Sequence, residues 1–268
     1  MKKVSGIVVL FLCLVHSSCR IARNPGDDGK IEVVFLQVND VYEIAPLSDG
    51  KEGGVARIAT LKKQYLAQHP NTFLVMAGDF LSPSIFHSLQ YQGSLVRGKQ
   101  MVESLNAAGL DIATFGNHEF DIREAELQSR LDESLFKWVS SNTHHIKEGR
   151  VWPFTQKGVV VPRTYIMNLV DADGTNARIG LISLTLPFNR ADYVHYFDPL
   201  ATAKEMYAVL KDSVDVVIAL THQSIESDIE LARAIPDLAI IMGGHEHDNR
   251  FVKEGNVYIT KAHANAKS

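Results

Sequence analysis

Cysteine is almost missing from this chain. Its 268 residues contain two, Cys13 and Cys19, and none from residue 20 onward. A disulfide framework, a thiolate metal site and a cysteine nucleophile are therefore excluded from the folded body. Charge of one sign is missing as well: 27 Lys and Arg stand against 31 Asp and Glu, a net −4 with His neutral. A general binder of nucleic acid polymers needs a basic face, so that class falls away. No charge block, low-complexity tract or repeat of 20–50 residues is present to suggest disorder or a solenoid. The apolar fraction of 46% is ordinary, and the length allows one large domain or two small ones.

What is present begins with a leader. Met1-Lys2-Lys3 is a short basic start, residues 7–15 are an unbroken apolar run, and His16-Ser17-Ser18-Cys19 follows. The run is too short for a bilayer, which takes about 20 residues. A charged start, a short apolar stretch and small residues before a cut site predict a signal peptide over 1–18 and an exported, periplasmic or cell-envelope protein. Small residues directly before Cys19 also resemble a bacterial lipobox, with His16 where Leu is usual. Cleavage there would leave a chain lipidated at Cys19, held at a membrane surface through a polar tether over 19–30. Ordinary signal cleavage nearby is the alternative.

From residue 31 apolar runs and amphipathic stretches alternate. Strands are predicted over 31–38, 73–77, 111–115, 214–220, 238–242 and 257–260. Helices are predicted over 55–68, 100–108, 123–135, 199–211 and 225–234. Residues 164–170 and 177–186 flank Asp171-Ala172-Asp173-Gly174, which is hairpin-turn chemistry. The pattern predicts one α/β domain of stacked layers over 31–268.

Five of these strands end in polar residues: Asp40, Asp79, Asn117, His222, and the pair His245 and His247. Ligands of open α/β sheets bind beyond the carboxyl ends of strands, so five distant segments can deliver these side chains to one pocket. Carboxylate, amide and imidazole donors suit Mn, Fe, Zn, Co or Ni better than a pure Mg or Ca cage. The i, i+2 spacing of His245 and His247 suits a strand end or loop, not the i, i+4 pair of a helical zinc protease.

Taken in order, Asn39-Asp40, Gly78-Asp79, Gly116-Asn117-His118-Glu119, Thr221-His222 and Gly244-His245-Glu246-His247 resemble the five-motif signature of calcineurin-like metallophosphoesterases. Residues 116–121 (GNHEFD) and 53–57 (GGVAR) resemble more narrowly the 5'-nucleotidase branch, which includes UDP-sugar hydrolases and 2',3'-cyclic phosphodiesterases. The resemblance covers about residues 31–260. It implies a four-layer α/β/β/α sandwich around two divalent transition metal ions (Mn, Zn, Fe or Co). By motif, Asp79 would bridge both ions. Asn117, His222 and His245 would complete one, and Asp40 and His247 would hold the other. Two such ions generate a hydroxide and neutralise phosphoryl oxygens. His118 would stabilise developing charge or protonate the leaving oxygen, oriented by Asp121. Arg57 would help hold phosphate, or is simply an exposed helix-face arginine. The implied partner is a small phosphate ester or nucleotide. The oligomeric state has no sequence signal.

Two departures from the family stand out. Its first motif is Asp-x-His, and here Asp40-Val41 is followed by Tyr42. Neutral phenol is a poor ligand for Zn²⁺ or Mn²⁺. Tyr42 either leaves the first ion under-coordinated, or ligates a harder ion such as ferric iron, or yields its place to water or Glu43. Second, the chain stops about twenty residues after His247, whereas the 5'-nucleotidase branch carries a further domain that holds the nucleoside base. The expectation is a catalytic domain incomplete at its C-terminal end. No substitute clamp is evident among Phe80, Phe86, Tyr91, Phe154 and Phe188. Two other functions compete with nucleotide hydrolysis: a cyclic-nucleotide phosphodiesterase, and a non-catalytic metal-binding lipoprotein that lost one site at Tyr42.

Overall fold

Strands buried on both faces need unbroken apolar runs, and these runs form two central sheets. A computed structural model describes residues 28–189 and 191–267. The predicted leader, Cys19 and most of the tether lie outside the described residues.

The first sheet is parallel, ordered β1 (Val34–Val38), β2 (Thr72–Ala77), β3 (Ile112–Thr114) and β4 (Lys137–Trp138). Helices α1 (Val55–Gln68), α2 (Lys99–Ala108) and α3 (Glu124–Glu133) lie between successive strands in the chain. The second sheet takes β5 (Thr164–Val170), β6 (Asn176–Thr185), β7 (Val216–His222), β8 (Leu238–Gly243), β9 (Arg250–Glu254) and β10 (Val257–Lys261). Its order is β5-β6-β7-β8-β10-β9. The four strands β6, β7, β8 and β10 are mutually parallel, with an antiparallel strand at each edge. Helices α4 (Pro199–Leu210) and α5 (Ile225–Ala234) follow β6 and β7.

Three buried cores give four layers. Along β2, Leu74 and Met76 face a core with Met101, Leu105, Leu127 and Leu131 of α2 and α3. The alternate residues Val75 and Ala77 face Leu181, Ile218, Leu220 and Met242 of the second sheet. Along β7 the same alternation sends Val217 and Ala219 to a third core with Met206, Leu210 and Leu231 of α4 and α5. This is the period of two of a pleated strand. The order is helices, sheet, sheet, helices, as the resemblance implies.

Helix starts follow local chemistry. Asp198 accepts from Ala201 N (2.7 Å) ahead of Pro199 in α4, and Ser224 accepts from Ser227 N (3.2 Å) ahead of α5. Strand β4 and two short hairpins, Gln90–Tyr91 with Ser94–Leu95 and Thr155–Gln156 with Val159–Val160, lie outside the expected pattern of strands, as do two further features. Edge strand β9 pairs only with β10. A ribbon of Thr143–Lys147, Arg150–Trp152 and Val194–Tyr196 covers part of the first layer. Of the loop aromatics, Phe80 stacks on Trp138 at 5.3 Å and Phe154 is buried in the same core, so both are packing residues. Tyr91 and Phe188 are exposed.

Candidate metal centre

Parallel strands bring their carboxyl ends to one edge, and the expected residues gather there. Asp40 and Asp79 each follow their strand by two residues, Asn117 follows β3 by three, and His222 closes β7. One donor atom from each of Asp40, Asp79 and His222 lies within 4.8 Å of the others, and all three residues are buried. Asp40, Asp79 and His245 all have positive φ, at 52°, 59° and 83°. For side-chain-bearing residues this costs of order 1–3 kcal/mol each and is concentrated at functional sites.

Each carboxylate has one oxygen tied and one presented. Asp40 Oδ2 accepts from Asn39 Nδ2 (2.7 Å) and His245 N (3.0 Å), while Oδ1 faces Tyr42 Oη (3.2 Å) and His247 Nε2 (3.3 Å). Asp79 Oδ1 accepts from His118 N (2.8 Å), while Oδ2 lies 3.1 Å from His222 Nε2 and 3.2 Å from Tyr42 Oη. His222 Nδ1 meets Ala77 O at 2.7 Å. A carbonyl only accepts, so Nδ1 carries the proton and Nε2 presents a lone pair in the neutral ring. That lone pair then faces the Asp79 carboxylate, an arrangement only a cation or a second proton reconciles. Burial pushes the His222 pKa down, but the charges of Asp79 and Asp40 outweigh it and raise it to about 9. Burial also opposes the charged form of Asp79, yet His222 and His118 hold its carboxyl below the usual range.

Buried orphan atoms point the same way. His222 Nε2 and Asn117 Oδ1 are buried without a hydrogen-bond partner, a condition that native structures rarely tolerate unexplained. The His245 ring sits 5.4 Å from that of His222, and burial followed by the charge of His222 lowers its pKa. These residues fit a borderline transition metal: oxygen and imidazole donors, lone pairs free, second oxygens braced.

His118 sits beside this cluster, its ring edge-on to Tyr42 at 6.5 Å. Its Nδ1 is 2.6 Å from Asp121 Oδ2. Asp121 Oδ1 accepts from Asn189 Nδ2, and Tyr196 Oη donates to Asn189 O (2.9 Å). Burial depresses the His118 pKa, but Asp121 and Asp79 outweigh it and hold it above the ordinary histidine range. With Nδ1 engaged, Nε2 is the nitrogen left for a ligand.

A family model described as calcineurin-like phosphoesterase matches residues 33–249, a span that includes all of these positions. The chain belongs to the calcineurin-like phosphoesterase family. Family membership implies divalent metal ions, and Asp40, Asp79 and His222 form a candidate site for one. A snake venom 5'-nucleotidase of Gloydius brevicauda is 28% identical over 258 residues, covering 88% of this chain and 40% of that protein. The 5'-nucleotidase of Bos taurus is 30% identical over 243 residues, covering 84% of this chain and 39% of that protein. The chain thus spans about two fifths of the length of these relatives. The solved structure of Haemophilus influenzae NAD nucleotidase superposes with a TM-score of 0.72 at 21% identity, over 88% of this chain and 51% of that one. At that identity the likeness concerns the fold.

Several residues that shape this phosphoesterase site are given no role by the motif reading. Glu119 is fully buried and accepts four backbone N–H groups, from Asp79 (2.8 Å), Phe80 (2.8 Å), Leu81 (3.0 Å) and Gly116 (2.6 Å). It clamps the loop after β2 to the loop after β3. Lys261, also buried, binds Asp228 Oδ2 (3.0 Å), Glu246, Gln223 O (2.5 Å) and Gly244 O (2.8 Å) beneath the loop of His245 and His247. Asn265 Oδ1 accepts from Tyr42 N (2.8 Å) and Glu43 N (3.2 Å), and its own N donates to Asp40 O (2.9 Å). Only Glu119 has a visible sequence signal, its place within GNHEFD. Arg57 is exposed and donates to Gly53 O (2.6 Å) and Gly50 O. It sits in the first turn of α1 and its guanidinium is engaged by the loop that precedes that helix.

Proposed function

We propose that the chain hydrolyses phosphate esters, nucleoside 5'-monophosphates foremost, at a centre with two neighbouring cation positions. One observation carries this reading. Asp79 Oδ2 lies 3.1 Å from His222 Nε2 and 3.2 Å from Tyr42 Oη, which itself neighbours Asp40 Oδ1 and His247 Nε2, a shared position that suits a bridging carboxylate. Asp79, Asn117, His222 and His245 would hold one ion. Asp79, Asp40 and His247 would hold the other, with Mn, Zn, Fe or Co as candidates. Such ions, when bound, supply Lewis acidity toward phosphoryl oxygens and lower the pKa of water.

The remaining work falls to side chains of this chain. His118 Nε2 carries a proton to the leaving ester oxygen. Asp121 holds the imidazole in the tautomer and orientation for that transfer, and Asn189 holds Asp121. The leader residues support export, and Cys19 supports a lipid anchor at the membrane surface. Among the described residues no helix is long and apolar enough to cross a membrane.

The test is phosphate release by the purified chain with added Mn²⁺. The panel is AMP, a UDP-sugar and a 2',3'-cyclic nucleotide. AMP should be turned over, and Asn117→Ala and His118→Ala should each lower kcat by about 100-fold or more. Activity that survives both substitutions, or no turnover of any ester, ends this reading. Turnover of the cyclic diester alone would replace it with the phosphodiesterase.

A further inference from the structure

We propose that Phe188 is the specificity-determining residue of this site: an aromatic platform at its rim, on which the base of a nucleoside monophosphate stacks. The inference rests on the phosphate-ester hydrolysis proposed above and names the residue that reads the part of the substrate no metal ligand touches.

An exposed phenylalanine alone signals nothing, because much of any protein surface is apolar. Its position gives it meaning. Strand β6 ends at Thr185, which pairs with His222 at the end of β7. Leu186 N then donates to His222 O (2.8 Å), and Phe188 N turns back to Leu186 O (2.9 Å). Asn189 Nδ2 donates to Asp121 Oδ1, and Asn189 O accepts from Tyr196 Oη (2.9 Å). The chain from Leu186 to Asn189 extends at most about 11 Å. It is pinned to a candidate ligand at one end and to the partner of His118 at the other. Phe188 stands between the two pins, 65% exposed.

The other loop aromatics are placed differently. Phe80 and Phe154 are core residues, and Phe86 is half-buried. Tyr91 is exposed, but it lines a cavity with Lys99, Arg123 and Arg130 beside α3. Of these five, all among the described residues, Phe188 alone combines exposure with a segment tied to both His222 and Asp121.

The proton donor decides which part of the substrate meets this ring. His118 Nε2 faces the leaving oxygen in the proposed hydrolysis, so the leaving alcohol lies on the side of His118 and Asp121. Asn189 holds Asp121, and Phe188 is the chain neighbour of Asn189. For a nucleoside monophosphate the leaving alcohol is the nucleoside. The ring of Phe188 carries no charge and no hydrogen-bonding atom, only an apolar π face. It therefore sorts leaving groups by flatness and aromaticity. Every base has such a face, so the platform favours nucleosides over plain sugars without choosing among bases. Contacts to this non-reacting part of the substrate raise kcat/KM without touching the reacting atoms.

The experiment uses the full chain with Mn²⁺ and compares AMP with ribose 5-phosphate, which has the same ester and no base. The readout is the ratio of the two kcat/KM values, in which any effect on the chemistry common to both substrates cancels. Wild type should favour AMP. Phe188→Ala should lower the ratio about 5–150-fold, the loss of one stacked base. Phe188→Tyr should retain it, and Phe188→Leu, which keeps apolar bulk without a π face, should not. A second measurement needs no turnover. In the His118→Ala background, the indole introduced by Phe188→Trp should lose emission when AMP is added and keep it with ribose 5-phosphate. A wild type without preference for AMP, a ratio that Phe188→Ala leaves unchanged, or an indole that responds equally to both ligands overturns the platform. Quenching by AMP alone in a protein that releases no phosphate would defeat the proposed hydrolysis and leave the platform standing. Phosphate release with an unchanged ratio would do the reverse.

Discussion

Lys261 should be the residue whose loss is felt most by the metal loop without touching a metal. Its side chain is fully buried, and its ammonium has three protons. They are used on Gln223 O, Gly244 O and the carboxylates of Asp228 and Glu246. These partners lie at the ends of β7 and β8 and the start of α5, where Glu246 Oε1 also accepts from Ile225 N (2.6 Å). Lys261→Met keeps the unbranched stem, one atom shorter, and removes the charge. Two carboxylates then face each other across an apolar stem, with Asp228 wholly buried. Removing one partner of a buried ion pair costs about 3–5 kcal/mol. For a domain of this size about 1 kcal/mol moves Tm by 2–4 °C, so a fall of about 6–20 °C is expected in the chelator-treated chain by calorimetry. Adding Asp228→Asn should restore at least about 1 kcal/mol, because the amide oxygen still accepts from Thr221 while the stranded charge is gone. Mn²⁺ binding should weaken about 10–100-fold in the single variant, as it does when outer partners of ligands are lost. A Tm within about 2 °C of wild type, or a double variant less stable than the single, would show that the ion cluster does not hold this loop.

Glu119→Gln replaces one acceptor oxygen with an amide that points protons at two backbone N–H groups. Two charged hydrogen bonds are lost, about 3–6 kcal/mol, and the urea midpoint should fall accordingly; an unchanged midpoint would remove Glu119 as the clamp between the loops after β2 and β3. Asp121 holds the His118 pKa above the ordinary range, so the protonated imidazole persists to higher pH and the alkaline limb of kcat lies above that of an ordinary histidine. Asp121→Asn removes the charge that favours the protonated form and should move this limb to lower pH. A pH–rate profile whose limb stays in place would count against His118 as the proton donor.

Much of this fold and site is legible in the amino-acid sequence, and the reason is locality. A strand buried on both faces must be apolar throughout, so VFLQV of β1 and TFLVMA of β2 announce themselves. A ligand at the end of such a strand follows it within a few residues. Edge strand β9 lacks that signal because RFVKE has one partner and mostly exposed residues. The residues that hold the ligands are hidden for a different reason. Asn265 reaches Tyr42 across 223 positions, and Asn189 reaches Asp121 across 68. Their partners are backbone atoms or a carboxylate already in use, and nothing in their own neighbourhood marks them. Glu119 shows that the converse also holds. It lies inside the most specific motif of the chain, directly after a candidate ligand and a candidate acid, yet it faces four backbone N–H groups and no solvent. Membership of a motif therefore says that a side chain is needed at the site, and burial decides whether it meets the substrate or holds up the residues that do.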